Sequence, residues 1–317
     1  MRSFVAIAVA LFFLPAALFG AATDSASHLL DQGKVDEVIA TFAGHTDADS
    51  NNQLCRAYYA LGELDHALGP CEKAVALEPS NARYHLWLGR VYGEKADKAS
   101  FLSAAGFAKK LRVEFERAVQ LDPNDTQART DLAEFYLEAP GIMGGGKDKA
   151  IEQARLISKT RPAREHWIYA RIAEKDKDLT TAEAEYRKAI ASTSENAEAW
   201  SDLAIFFRKH NRLPEMEEAV RHATSSPSTP PGVLFDAAEN LSRAGQSSDY
   251  DLAISLLRRY LASATVEDSP AFKAHYLLGS LLEKQAKKTE ATTEFRAALA
   301  LAREFQPAQQ ALQRLSR

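Results

Sequence analysis

Gly141, Gly146 and Lys147 stand in the G-x4-G-K spacing with which a loop's amides and a lysine cradle the phosphates of a nucleotide. Two features count against that chemistry. Asp148 takes the place of the Ser or Thr that would carry magnesium, and the run follows a helical pattern where the phosphate loop follows a buried strand. A glycine-rich turn between helices accounts for Ala139 to Asp148. The eight histidines (His28, His45, His66, His85, His166, His210, His222 and His275) show no H-E-x-x-H or related metal spacing, so each reads as a packing or surface residue. The chain has no G-x-S-x-G elbow. Its Asp and Glu residues are spread along helix faces, often three or four positions from Lys or Arg, which is the pattern of a solvated face and not of a catalytic carboxylate pair. The sequence therefore predicts no catalytic residue, no metal and no cofactor.

The elements that carry these residues repeat. Lys73-Ala74-Val75-Ala76-Leu77-Glu78-Pro79 matches Arg117-Ala118-Val119-Gln120-Leu121-Asp122-Pro123 position by position, each an amphipathic helix end stopped by proline. Upstream, His85-x-x-Leu88-Gly89-x-x-Tyr92 recurs as Arg129-x-x-Leu132-Ala133-x-x-Tyr136, Trp200-x-x-Leu203-Ala204-x-x-Phe207 and His275-x-x-Leu278-Gly279-x-x-Leu282. A second helix reads Ala67-x-x-x-Cys71-x-x-Ala74, Leu111-x-x-x-Phe115-x-x-Ala118, Ala182-x-x-x-Tyr186-x-x-Ala189 and Ala291-x-x-x-Phe295-x-x-Ala298. The small residue after the Leu position falls at Cys55, Gly89, Ala133, Ala170, Ala204, Ala238 and Gly279, in steps of 34, 44, 37, 34, 34 and 41. A small side chain recurs there because one helix crosses another at that point.

With these motifs the chain resembles the tetratricopeptide repeat family, whose signature is W-x2-L-G-x2-Y, then A-x3-F, then P, on a period of 34. The resemblance covers about residues 25 to 317 and implies an all-α, right-handed superhelical solenoid of antiparallel helix pairs. The expected organisation is a leader over 1–22 and the array over 23–317. Within the array lie a degenerate first unit at about 25–47, units at 48–81, 82–125, 126–162, 163–196, 197–230, 231–271 and 272–305, and a solvent-facing terminal helix at 306–317. The unit at 231–271 matches least. Two inserts lengthen the spacing. One, around Lys95 to Phe107, carries Phe101, Leu102 and Phe107, and reads either as a longer turn packed on its own unit or as an apolar recognition tab. The other is the glycine-rich run above, which looks like a loop of some bacterial family members.

Apolar residues make up 46% and charged residues 26%, as in ordinary globular proteins, and a net charge of −4 gives no electrostatic case for nucleic acid. Arg2 is followed by an uncharged stretch from Phe4 to Ala22, with Pro15 inside it and Gly20 and Ala22 before Thr23, the pattern of a cleaved secretory signal. An uncleaved anchor is the rival reading; Pro15 and the small-residue end favour cleavage, and no later segment is long and apolar enough to span a membrane. The expected location is exported, periplasmic or secreted. There a disulfide can persist. In the repeat register Cys55 and Cys71 should face each other across an antiparallel pair, either bonded or as two small buried thiols.

In the family the first helix of each pair lines a concave face, and its contact positions carry over here to Arg56, Tyr59, Arg90, Glu134, Glu138, Trp167, Arg171, Lys175, Arg208, Lys209, Phe235, Glu239, Tyr276 and Lys284. Of these, Arg56, Tyr59, Arg90, Trp167, Arg171, Lys175, Arg208 and Lys209 form the expected partner-binding set, since Arg, Tyr and Trp anchor interfaces and Arg grips carboxylates with two parallel hydrogen bonds. The expected function is a non-catalytic scaffold that holds a protein or peptide with acidic groups; the plainer reading is that these side chains solvate the inner face. The family's Asn-containing carboxylate clamp is not reproduced, because Arg56, Arg90 and Arg171 stand at its position.

Overall fold

The computed structural model describes residues 27–194 and 196–316, without the side chains of Phe101 and Leu102; the expected leader lies outside the described residues. Eight helix pairs follow one another. They are α1 (residues 27–31) and α2 (Val35–Phe42), α3 (Ala48–Leu61) and α4 (Leu64–Leu77), α5 (Ala82–Lys98) and α6 (Phe101–Leu121), and α7 (Thr126–Glu138) and α8 (Lys147–Ile157). The array continues with α9 (Pro162–Lys175) and α10 (Leu179–Ala191), α11 (Ala197–Lys209) and α12 (Leu213–Thr224), α13 (Pro231–Ala244) and α14 (Tyr250–Leu261), and α15 (Ala271–Lys284) and α16 (Lys288–Leu301), ending in a single helix, α17 (Gln306–Leu315).

Local sequence starts and stops these helices. Asp47 caps α3 by accepting from the Ser50 amide at 2.9 Å, and Asp125 caps α7 by accepting from Gln127 and Ala128 at 2.8 and 3.0 Å. Prolines open α9, α12, α13 and α17 at a position whose amide needs no partner. The glycine run between α7 and α8 folds as a tight turn, in which the Gly146 amide donates to Tyr136 O at 2.8 Å and Lys147 pairs with Asp176. The lengthened spacing at Lys95 to Phe107 is absorbed as extra helical turns on α5 and α6, with Phe107 stacked on Tyr92 at 6.2 Å.

The small position of each first helix is where the pair closes. A Cβ on Gly89 would sit 2.4 Å from the Phe115 ring, and one on Gly279 would sit 2.7 Å from Phe295. Cys55 and Cys71 occupy the same two places in the α3–α4 pair and are joined by a disulfide, both essentially fully buried. Between pairs, Tyr92 donates to Glu72 at 2.8 Å and Tyr136 to Glu116 at 3.0 Å, each tying a first helix to the second helix of the preceding pair. Within pairs, His85 meets Glu114 at 2.6 Å, His166 meets Glu185 at 2.8 Å and His275 meets Glu294 at 2.7 Å.

The array departs from an open solenoid at its ends. Leu30, Val35, Val38, Phe42, Leu54 and Ala57 from the first two pairs share one buried cluster with Phe272, Ala298, Ala302, Phe305 and Ala308 from the last. The coil therefore closes on itself. Gly33, in the left-handed region at φ 70°, lies so close to α15 that an added Cβ would be 2.7 Å from the Ala271 nitrogen. The Arg303 amide donates to Asp36 at 2.9 Å beside it. The terminal helix α17 has two faces: Gln306, Gln310, Gln313 and Arg314 are exposed, while Ala308 and Ala311 are fully buried, Ala308 within the seam between the two ends.

The Cys55–Cys71 bridge closes a loop with a sequence separation of 16. Its removal by Cys55→Ala/Cys71→Ala is expected to cost up to about 3 kcal/mol. Urea denaturation of the variant and of the wild type would show this as a lowered midpoint; an unchanged midpoint would contradict it.

Candidate functional site

The first helices, α3 to α15, line the inside of the ring, and most of the arginines on them pair with a neighbouring helix or loop. Arg90 of α5 donates to Asp131 of α7 at 2.9 Å. Arg171 of α9 reaches back to Glu134 at 3.2 Å and Glu138 at 2.8 Å on α7. Arg164 of α9 reaches forward to Glu198 at 3.4 Å and Asp202 at 3.3 Å on α11, and Arg208 of α11 donates to Asn240 of α13. These contacts form a ladder along the inner wall from one first helix to the next. Its last rung crosses the closure. Arg56 of α3 donates through Nε to Glu267 Oε1 at 2.7 Å and through a second nitrogen to Glu267 Oε2, and a third bond runs to Gln53 at 2.9 Å. Glu267 sits on the connection between α14 and α15, 211 residues away in sequence.

This geometry corrects the expected binding set in part. Arg56 is 2% exposed and saturated, so it is a wall residue as the ring stands. Arg90 and Arg171 are largely covered and paired. Trp167 is buried, with Arg164 and Arg171 over its ring at 5.0 and 5.4 Å. Lys175 is bonded to Leu137 O and lies 3.9 Å from Glu138. Phe235 packs in the core against Tyr260, Tyr276 packs on Phe295 and Phe305, Glu239 pairs with Arg243 and Lys284 lies over Tyr250. Lys209 is exposed. Tyr59 keeps a face on the cavity described next and stands edge-on to Trp87 at 5.5 Å. The open basic face expected from the sequence is thus absent. Carboxylates from neighbouring first helices, among them Glu134 and Glu138 of the same register, and Glu267 from a distant loop pair with its arginines.

What remains open is a cavity of about 720 Å³ bounded by α3, α5, α6, α7, α15 and the α14–α15 connection. Seven carboxylates line it (Glu94, Asp97, Asp131, Glu134, Glu138, Glu267 and Asp268) against the three cations Arg56, Arg90 and Lys273. Tyr59, Trp87 and Phe135 supply its aromatic surface. Burial lowers the pKa of the Lys273 ammonium, and burial pushes the Tyr59 hydroxyl up to about 12. Further round the ring, burial pushes Asp202 up to about 6 against the pull of Arg164. Asp236 is exposed to solvent, and crowding by the surrounding helices, with the carboxylates of Glu239, Asp202, Asp268 and Glu198, pushes it up to about 7. Among the described residues no His, Cys, Asp and Glu group is arranged to hold a metal ion, and no helix is long and apolar enough to cross a membrane.

Residues 241–314 match the tetratricopeptide repeat family model. Yeast Tom70 superposes with a TM-score of 0.53 at 16% identity, covering 96% of this chain and 60% of that one. A tetratricopeptide repeat protein from Parabacteroides merdae aligns over 90% of this chain and 99% of its own length, at 14% identity and a TM-score of 0.41. At such identities the likeness speaks of fold alone. No curated protein sequence matches the chain. The protein is an all-α solenoid built of tetratricopeptide-type repeats.

The raised carboxylates set a pH dependence. Asp236 binds its proton more tightly in the folded ring than in the unfolded chain, where its pKa is the ordinary 3.8. Folding is therefore favoured as pH falls through about 7, and the gain accrues until the ordinary value is approached. The thermal midpoint is expected to rise between pH 8 and pH 5.5, above the range in which lowered carboxylates such as Glu183 and Glu283 give up their partners. Asp236→Asn is expected to raise the midpoint at pH 8 and flatten the slope. A midpoint lowered at pH 8 by that substitution would contradict the assignment.

Proposed function

We propose that the protein is a non-catalytic interaction scaffold that receives a segment of another protein inside its ring. The cavity of about 720 Å³ on the inner wall carries this reading, because it combines aromatic surface at Tyr59, Trp87 and Phe135 with Asp97 and Lys273, whose charges form no ion pair among the described residues. Proteins of this fold commonly act as protein-binding scaffolds, and a rigid inner wall cross-linked from repeat to repeat offers a preorganised surface that loses little entropy on binding. The carboxylates of the ladder are engaged in holding helices together.

The working compartment is the cell envelope or beyond. Two features support this: the leader-like start of the chain and the Cys55–Cys71 bridge, which persists in oxidising surroundings and is rare in reducing ones. Within that compartment the protein acts as a holder of a client or as an assembly factor for an envelope complex; the two differ only in the partner.

A photo-reactive side chain placed at Tyr59 tests the site directly, with one at Glu218, exposed on α12, as control. Crosslinks to a partner protein in envelope extract are expected at position 59 and absent at 218. Adducts at 218 with none at 59 would move the interface to the convex side.

A further inference from the structure

We propose that Arg56, Trp87, Arg90 and Arg83 form a carboxylate-binding cradle that the chain's own Glu267–Asp268 loop occupies, and that an acidic segment of a partner binds by displacing that loop. The inference rests on the reading that the partner enters the ring, and it adds how entry is controlled.

The cradle is made by the inner faces of α3 and α5. Arg56 and Arg90 lie over the Trp87 ring at 5.5 and 4.8 Å. An arginine fork held against an aromatic ring is preorganised for two parallel bonds to one carboxylate. Glu267 takes both oxygens' worth of that geometry from Arg56. Asp268 is held far less firmly: it lies 3.9 Å from Arg90, whose Nε is already given to Asp131, and its side chain is 79% exposed. A second cavity, of about 430 Å³, opens beside the loop and is lined by Arg83, Trp87, Arg90, Val266, Glu267 and Asp268. Arg83 is exposed there and its guanidinium forms no ion pair among the described residues. The cradle thus has one cation more than its internal occupant uses.

The loop is built as a replaceable part. Its turn is shaped internally: Val266 and Ser269 pair across it, and the Tyr260 hydroxyl accepts from the Val266 amide at 3.0 Å and donates to Ser269 O. It presents Glu267 and Asp268 at the tip. Residues 262 to 264 are exposed, and the contacts that hold the tip to the opposite end of the chain are polar. They are the two arginines, Thr265 donating to Asp31 O at 2.6 Å, and the Glu267 amide donating to the Asp31 carboxylate at 3.2 Å. Polar contacts of this kind can be exchanged for those of a competing carboxylate, whereas the apolar seam at Phe272 and Phe305 cannot. A buried Arg56 also demands a counter-charge, so the loop leaves only as another acid arrives. Two adjacent carboxylates on an exposed segment are the chemistry that meets this requirement.

The probe is the loop's own sequence, Ala-Thr-Val-Glu-Asp-Ser-Pro, capped at both ends, with the Gln/Asn version of its acidic pair as control. Its affinity for the full chain is read from tryptophan fluorescence and calorimetry. Weak binding to the wild type, binding at least tenfold tighter to Glu267→Gln/Asp268→Asn, and loss in Arg83→Ala are expected. Should the loop variant fail to fold, hydrogen exchange on the wild type decides: saturating acidic peptide should speed exchange at Val266 and Glu267, and the neutral control should not. Equal binding of the two peptides, or unchanged exchange at those amides, overturns the proposal. Crosslinking from position 59 is independent of the loop, so a crosslink without displacement sinks this inference alone, and no crosslink at 59 sinks the reading beneath it.

Discussion

The structure depends on the contact between its two ends. A stack of helix pairs normally ends in two raw apolar faces, each of which needs a capping element. Here each end caps the other, through Leu30, Val35, Val38 and Phe42 on one side and Phe272, Phe305 and Ala308 on the other. Closure has consequences that a cap would not have. It gives the array an inside, so that charged residues on the first helices face one another across the inner wall, and it shortens the distance between residues far apart in sequence to a single ion pair.

From that constraint follows the character of the inner wall. A groove of free arginines would recruit acidic partners at once. A closed ring with those arginines facing carboxylates on neighbouring helices is instead a stiff, nearly self-neutralised surface, acidic in excess and aromatic in places. The raised carboxylates at Asp202 and Asp236 are the cost of enclosing like charges. The Arg56–Glu267 pair stands apart from the other rungs, because it is the one that ties the α14–α15 connection to α3 and spans the seam.

What was legible in the sequence followed from local rules. The recurrent small residue, the Tyr or Phe three positions after it, and the prolines at unit ends all obey contacts between neighbours in the chain, so the all-α repeat fold is legible in the spacing alone. The ring could not. Gly33 against Ala271, Asp36 against Arg303 and Arg56 against Glu267 are contacts across more than two hundred residues, and no periodicity encodes them. The same gap explains the site. Arg56, Arg90 and Arg171 were correctly placed on first helices but read as free, because their partners Glu267, Asp131, Glu134 and Glu138 lie on other helices or in a loop without a motif. Trp87 sits between the motif's Leu and His positions, and nothing in its spacing marks it as the platform under two guanidinium groups.

Closure is tested most directly by a distance across the seam. Paramagnetic labels carried on non-canonical side chains at Glu37 and Glu304, which leave the Cys55–Cys71 bridge untouched, flank the Asp36–Arg303 contact on exposed positions. Pulsed dipolar spectroscopy on the full chain should return one short, narrow distance distribution. A long or broad distribution would mean that the ends are apart in solution, and that the inner wall, its ion-pair ladder and the loop in its cradle do not exist as described.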